Sequence, residues 1–181
     1  SCSIIFDEDL CCSCLLPIGQ IDGGDITTIE GLGDGQALSD MQQAFLDYGA
    51  SQCGICIPGM LISADWLQKH TENPKPKDIE DVLGGVLCRC TGYKKILESV
   101  MAVTSGEYKR TKKSTCSNTA VGSRINRLDG APKVTGEEVF GADKFPEETL
   151  VIHILRSPFD SSKFTISNIP QFLEDNPGII D

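Results

Sequence analysis

The chain has 181 residues, 40% of them hydrophobic, enough to bury one or two small cores and to divide into two or three modest segments. A formal net charge of −10 argues against a nucleic-acid surface. No apolar run approaches the length of a membrane span, and nothing at the start has the form of a signal peptide.

Residues 1–32 read as short strands and turns. Ser3 to Phe6 is β-like, Asp7-Glu8-Asp9 is a turn, Cys11 to Leu16 is a return strand, and Ile26 to Ile29 is a further β-rich piece. The run Gly31-Leu32-Gly33-Asp34-Gly35 marks a boundary, after which the period becomes helical. Ser39 and Gln42 form a capping box, Met41, Ala44, Phe45 and Tyr48 share a stripe, and Gly49 ends the helix. Pro58 opens a second helix whose apolar face is Met60, Leu61, Ala64 and Leu67, with Pro74 and Pro76 beyond it. Ile79, Val82 and Leu83 belong to a short third helix stopped by Gly84-Gly85, and Tyr93, Ile96, Leu97 and Val100 to a fourth. No one of these short, one-faced helices can bury its stripe alone, so they are expected to form a compact bundle.

Residues 104–127 are polar, with the basic run Lys109 to Lys113, and read as a solvated linker. Beyond it, Val151 to Leu155 reads as a buried strand, Lys163 to Ser167 as an alternating one, and Pro170 to Leu173 as the opening of a short helix.

The cysteines carry the chemistry. Their odd count of nine, the adjacent Cys11 and Cys12, and long cysteine-free stretches do not fit a small disulfide scaffold, so metal binding or free thiols in a reducing compartment is expected. Cys53-Gly54-Ile55-Cys56 falls between helices one and two, and Cys88-Arg89-Cys90 between helices three and four. A bundle can bring those two connections together at one end, giving one site for four thiolates. Spacing alone does not separate a zinc ion from an iron–sulfur cluster. Ile55, Ile57, Pro58, Val86 and Leu87 would wall the site, Gly54 and Gly92 would leave amides free for sulfur, and Arg89 would offset charge. Cys2 and Cys14 make a second pair that cannot close a site by itself, and Cys116 reads as a surface thiol. His70, near a helix end, and His153, in a β-like run, have no partners that suggest a ligand set. No nucleophile–base set and no phosphate-binding glycine loop is present in the sequence.

The stretch Gln52-Cys53-Gly54-Ile55-Cys56-Ile57-Pro58-Gly59-Met60, followed by Leu87-Cys88-Arg89-Cys90-Thr91-Gly92-Tyr93, closely resembles the helical [2Fe-2S] domain of the molybdenum hydroxylases. That family includes xanthine dehydrogenase, aldehyde oxidoreductase and nicotinate dehydrogenase. Thr28 to Leu32 and Gln42 to Phe45 look like its junction and first helix. Cys2 to Cys14 looks like the end of its plant-type ferredoxin domain. Arg127-Leu128-Asp129, Lys133-Val134-Thr135-Gly136, Arg156-Ser157-Pro158 and Asn176-Pro177-Gly178 look like the opening of its molybdenum-binding part.

The resemblance implies an α+β chain of several segments. Residues 1–33 would be a partial β-grasp ferredoxin domain and 34–104 a four-helix [2Fe-2S]-binding bundle. Residues 105–128 would be a linker and 129–181 the start of an α/β hammerhead. Cys53, Cys56, Cys88 and Cys90 would hold one [2Fe-2S] cluster. Cys2 and Cys14 would be half of a second, completed only in a longer protein, since the chain has no initiator Met and reads as beginning inside one. Gln52 and Cys90 would lie near a pterin, and no catalytic residue carries over.

The parent protein would carry molybdopterin, not bound by this piece alone. It would hydroxylate an N-heterocycle or an aldehyde and pass electrons through the clusters to an acceptor. The implied partners are the rest of the molybdenum-binding polypeptide or subunit and a flavin subunit or other acceptor, with no nucleic acid or membrane, in the cytoplasm. The sequence departs from the family at Asp7-Glu8, where a glycine turn is common, and at Ile55, Ile57 and Val86, which replace Phe, Thr and Asn beside the cluster. Two competing readings are a colourless zinc-stabilised helical interaction module with no redox role, and an inert piece whose C-terminal part stays partly disordered.

Overall fold

The opening hairpin sets the first layer. In the computed structural model, β1 (Ser3–Phe6) pairs antiparallel with β2 (Asp9–Cys12) and, on its other edge, with β3 (Ile26–Thr27), giving the order β2-β1-β3. The two-residue loop is Asp7-Glu8, at φ 47° and 72°. Two successive positive φ values are the backbone of a type I′ turn, which usually takes Asn or Gly. Asp7 compensates by exchanging hydrogen bonds with Asp25: its amide donates to the Asp25 carbonyl (3.0 Å), and its carboxylate accepts from the Asp25 amide (2.8 Å). The expected return strand begins and ends earlier, and Ser13–Leu15 is a 3-10 turn.

The described residues are all but 1, 34–36, 111–120, 122–124, 142, 148, 155, 167 and 180–181. The Asp34-Gly35 part of the glycine boundary, most of the basic run and Cys116 lie outside them.

The four expected helices are α1 (Asp40–Asp47), α2 (Ile57–His70), α3 (Pro76–Leu83) and α4 (Lys94–Thr104). The capping box of α1 is present: Gln42 N donates to Ser39 Oγ (3.2 Å) and Ser39 N donates to Gln42 Oε1 (2.8 Å). Gly49 ends that helix at φ 69°. Tyr48, expected on the buried stripe, is its C-cap and is largely exposed. Phe45, Met60, Leu61, Ile79, Ile96 and Val100 meet in one core with no exposed side-chain surface or almost none. Packing runs α1 on α4, α3 on α2 and α4, and α2 on β1. Trp66 fixes α2 to the hairpin by donating its indole N–H to the Glu8 carbonyl (2.8 Å) and stacks on His70. His70 therefore has a structural role at the helix end.

The chain divides into a unit of residues 1–140 and one of 141–181. A fifth helix, α5 (Gly130–Thr135), belongs to the first unit and packs on α1 and α2. The segment before it is not a free linker where it is described. The Tyr108 hydroxyl donates to Asp47 Oδ2 (2.8 Å), Arg110 bonds Asp40 and the Leu38 carbonyl, and Asn126 donates to Asp47 Oδ1 (3.2 Å). Each ties the polar stretch to one face of α1 or its start.

In the second unit, α6 (Ile169–Asp175) forms where a short helix is expected. The two expected strands do not: Val151, Ile152, Ile154, Phe164 and Ile166 are exposed and belong to no ladder, and His153 is exposed with them. A β-patterned segment needs a neighbouring strand to satisfy its backbone, and among the described residues none lies beside these. No described helix is long and apolar enough to cross a membrane.

Candidate metal centre

Cys53 and Cys56 lie on the loop leading from α1 into α2, with Cys56 as the N-cap of α2. Cys88 and Cys90 lie on the loop from α3 to α4. The fold brings the two loops together. Cys56 and Cys88, one from each loop, pack in the same core, and each loop's thiols act on the other's: Cys88 raises Cys56, and Cys53 raises Cys90. Cys56 is buried, Cys88 half-buried, and Cys53 and Cys90 exposed, so the site runs from the core to the surface.

Local sequence explains the second loop. Gly92 and Tyr93 both take left-handed φ values, 63° and 65°, and this double reversal turns the chain into α4. Tyr93 at such an angle is strained and needs support. The support is hydrogen bonding: the Tyr93 hydroxyl accepts from Cys88 N (2.8 Å) and donates to the Val86 carbonyl (3.3 Å), and Thr91 Oγ1 accepts from Tyr93 N (3.1 Å). Thr91 Oγ1 also lies 3.0 Å from Cys88 Sγ. The first loop needs Gly54, buried at φ 100°.

The electrostatics separate the thiols. Burial pushes the Cys56 thiol up to about 12, helped by neighbouring Cys88 and Cys53. Burial opposes ionisation of Cys88 as well, but hydrogen bonds from the Thr91 hydroxyl, the Thr91 and Cys90 amides and the Cys56 thiol outweigh it and lower its pKa. Cys90 is raised by its hydrogen bond with Cys53. Burial and neighbouring thiols disfavour the Cys56 thiolate, and a cationic metal centre would reverse that, because it binds thiolates. Four cysteines on two loops can hold one zinc ion or a binuclear cluster, in which each iron takes two thiolates.

The surroundings differ in part from expectation. Ile57 and Val86 are buried against the site, whereas Ile55 and Leu87 are largely exposed and form no inner wall. Amides that reach sulfur include those of Cys53, Cys56, Cys90 and Thr91. Gly54 and Gly92 contribute backbone conformation. Arg89 is exposed, and Gln52, beside Cys53, is half-buried. Cys2 and Cys14 are also neighbours, where Ser13 N donates to the Cys2 carbonyl (2.8 Å), and Cys2 raises the Cys14 thiol. Both are exposed.

Residues 28–101 match the [2Fe-2S] binding domain family. This segment is a [2Fe-2S]-binding domain. The match decides what cysteine spacing leaves open, a cluster over zinc, and the interaction-module reading gains no support. The chain is 47% identical over 103 residues to a probable xanthine dehydrogenase component of Bacillus subtilis, covering 57% of this chain and 59% of that one. It is 34% identical over 169 residues to aldehyde oxidoreductase of Megalodesulfovibrio gigas, covering 87% of this chain and 19% of that one. The solved structure of aldehyde oxidoreductase from Desulfovibrio gigas superposes with a TM-score of 0.70 at 35% identity, over 78% of this chain and 17% of that one. The chain thus spans about three fifths of the first relative and a fifth or less of the others.

The [2Fe-2S]-binding domain also receives residues from beyond the matched segment. Lys133, on α5, is 4% exposed, and its Nζ donates to Asp129 Oδ2 (2.6 Å) and Glu138 Oε1 (2.8 Å). Arg127 holds Asp129 through two bonds of 2.9 Å. The Lys133 stem lies against Gly54: a Cβ on residue 54 would stand 2.9 Å from Lys133 Cγ. By its sequence pattern Lys133 belongs to the later segment 129–181. Its mark in the sequence is a lysine three residues before Gly136, the glycine that caps α5 at φ 87°.

Proposed function

We propose that this chain is the iron–sulfur electron-transfer segment of a molybdenum-dependent hydroxylase acting on an N-heterocycle or an aldehyde. Cys53, Cys56, Cys88 and Cys90 are its cluster ligands. A [2Fe-2S] cluster held there supplies one-electron transfer. The chain's own residues orient the four sulfurs, bury one side of the site with Ile57 and Val86, and donate amide and hydroxyl hydrogen bonds to sulfur. Cys53 and Cys90 keep the opposite edge exposed, which gives electrons a short route to a neighbour.

In this reading Gln52 and Cys90 face a molybdopterin centre in the full protein, and Cys2 and Cys14 are two ligands of a second cluster. Residues 1–33 are ferredoxin-like, 34–104 the helical domain, 105–128 a connection, and 129–181 the opening of the molybdenum-binding part. The partners are the remainder of that part and a flavin subunit or other acceptor, in the cytoplasm.

The observation that carries the proposal is that Cys56 and Cys88, one from each cysteine loop, pack in one core inside the matched domain, with Cys53 and Cys90 on the same two loops. Its test is iron content after anaerobic reconstitution of the full chain and of single Cys→Ser variants. The expected result is about two irons per chain in the wild type and in Cys116→Ser. Substitution at Cys53, Cys56, Cys88 or Cys90 should lose or alter the cluster. An unaltered cluster in Cys88→Ser removes the ligand assignment.

A further inference from the structure

We infer that residues 127–138 are a strap that clamps the first metal loop, with Lys133 as the positioning residue that joins them. The inference rests on the cluster assignment above and adds residues outside the matched domain. Three observations meet at Lys133.

Its stem occupies the space that a side chain on residue 54 would take, so the left-handed turn between Cys53 and Cys56 is backed by Lys133 methylenes. Its ammonium is buried, and a buried ammonium persists only when paired. Asp129 and Glu138 pair it, while Arg127 pairs Asp129 and lies within electrostatic reach of Cys53. The strap is itself fastened to the bundle on its far side: buried Gln42 donates to the Val134 carbonyl (2.8 Å), and Gly130 and Gly136 abut Leu46 and Ile29 too closely for a Cβ. Two cations and two anions therefore balance beside the loop.

Removing one member of the balance changes the charge that a reduced cluster experiences. Loss of the Lys133 cation should make adding an electron harder, and loss of the Glu138 anion should make it easier. A strap that served packing alone would not give opposite signs.

The test is a potentiometric titration of the reconstituted full chain, followed by electron paramagnetic resonance, with Lys133→Met and Glu138→Gln. Methionine keeps an unbranched stem over Gly54 and removes the charge. The expected result is a lower potential in Lys133→Met and a higher one in Glu138→Gln. Unchanged potentials in both, or shifts of the same sign, overturn the inference. If Lys133→Met does not fold, Glu138→Gln decides alone: an upward shift supports the strap, and no shift overturns it. A wild-type chain that takes up no cluster overturns the functional proposal and this inference together. A normal wild-type cluster with unshifted variants overturns this inference only.

Discussion

Gly54 shows most plainly how one residue serves the site. Its φ of 100° is open to glycine and strained for any other residue, and the neighbouring space is filled by Lys133. Gly54→Ala should therefore cost about 1–3 kcal/mol, by the usual penalty for a forced backbone conformation, and be seen as a lower midpoint in denaturant. A midpoint unchanged within error would mean that the loop has another conformation. Tyr93 is the counterpart on the second loop. Tyr93→Phe leaves Cys88 N without its acceptor, and an orphaned donor costs about 1–3 kcal/mol. Iron should also leave this variant faster under a chelator. The Cys-Gly-x-Cys and Cys-x-Cys pattern marks the four proposed ligands in the sequence. It does not reveal that Thr91 and Tyr93 stitch the second loop, because their roles depend on two left-handed residues in a row.

Among the elements, the helices were legible because their apolar periods are backed by start and stop residues. Ser39, Gln42 and Gly49 bound α1, Pro58 falls in the first turn of α2, and Gly84 caps α3. Ser39→Ala should cost about 1 kcal/mol through the lost cap. Gln42→Ala should cost more, because the same side chain closes the capping box and holds the Val134 carbonyl. Equal losses in the two variants would indicate that the strap bond contributes nothing. The strands were legible only where a partner exists. Ser3–Phe6 finds partners on both edges, while Val151 to Ile154 has the composition of a strand and no neighbour among the described residues. α5 escaped notice because it is short and its one buried charge, Lys133, looks like a surface residue in sequence.

For the molecule as a whole, a cluster held on the four proposed ligands would tie the α1–α2 connection to the α3–α4 connection and so link cofactor binding to stability. A ligand that binds only the folded state stabilises it, by about 2.7 kcal/mol at a hundredfold excess over Kd. Removing iron should lower the unfolding temperature of the first unit, with calorimetry as the measure. An apo form as stable as the holo form would mean that the four thiols are not the binding site. The mixed helix and small-sheet architecture was readable from the order of patterns along the chain. The attachment of residues 127–138 to the [2Fe-2S]-binding domain was not, because it rests on long-range contacts that leave no periodic mark.

The proposed function requires a redox cluster on Cys53, Cys56, Cys88 and Cys90. The most direct test is the visible absorption spectrum of the anaerobically reconstituted chain before and after dithionite, with iron and zinc determined on the same sample. The account predicts a brown protein that bleaches on reduction and contains about two irons per chain. Colourless protein with about one zinc would contradict it, and the thiolates would then be structural.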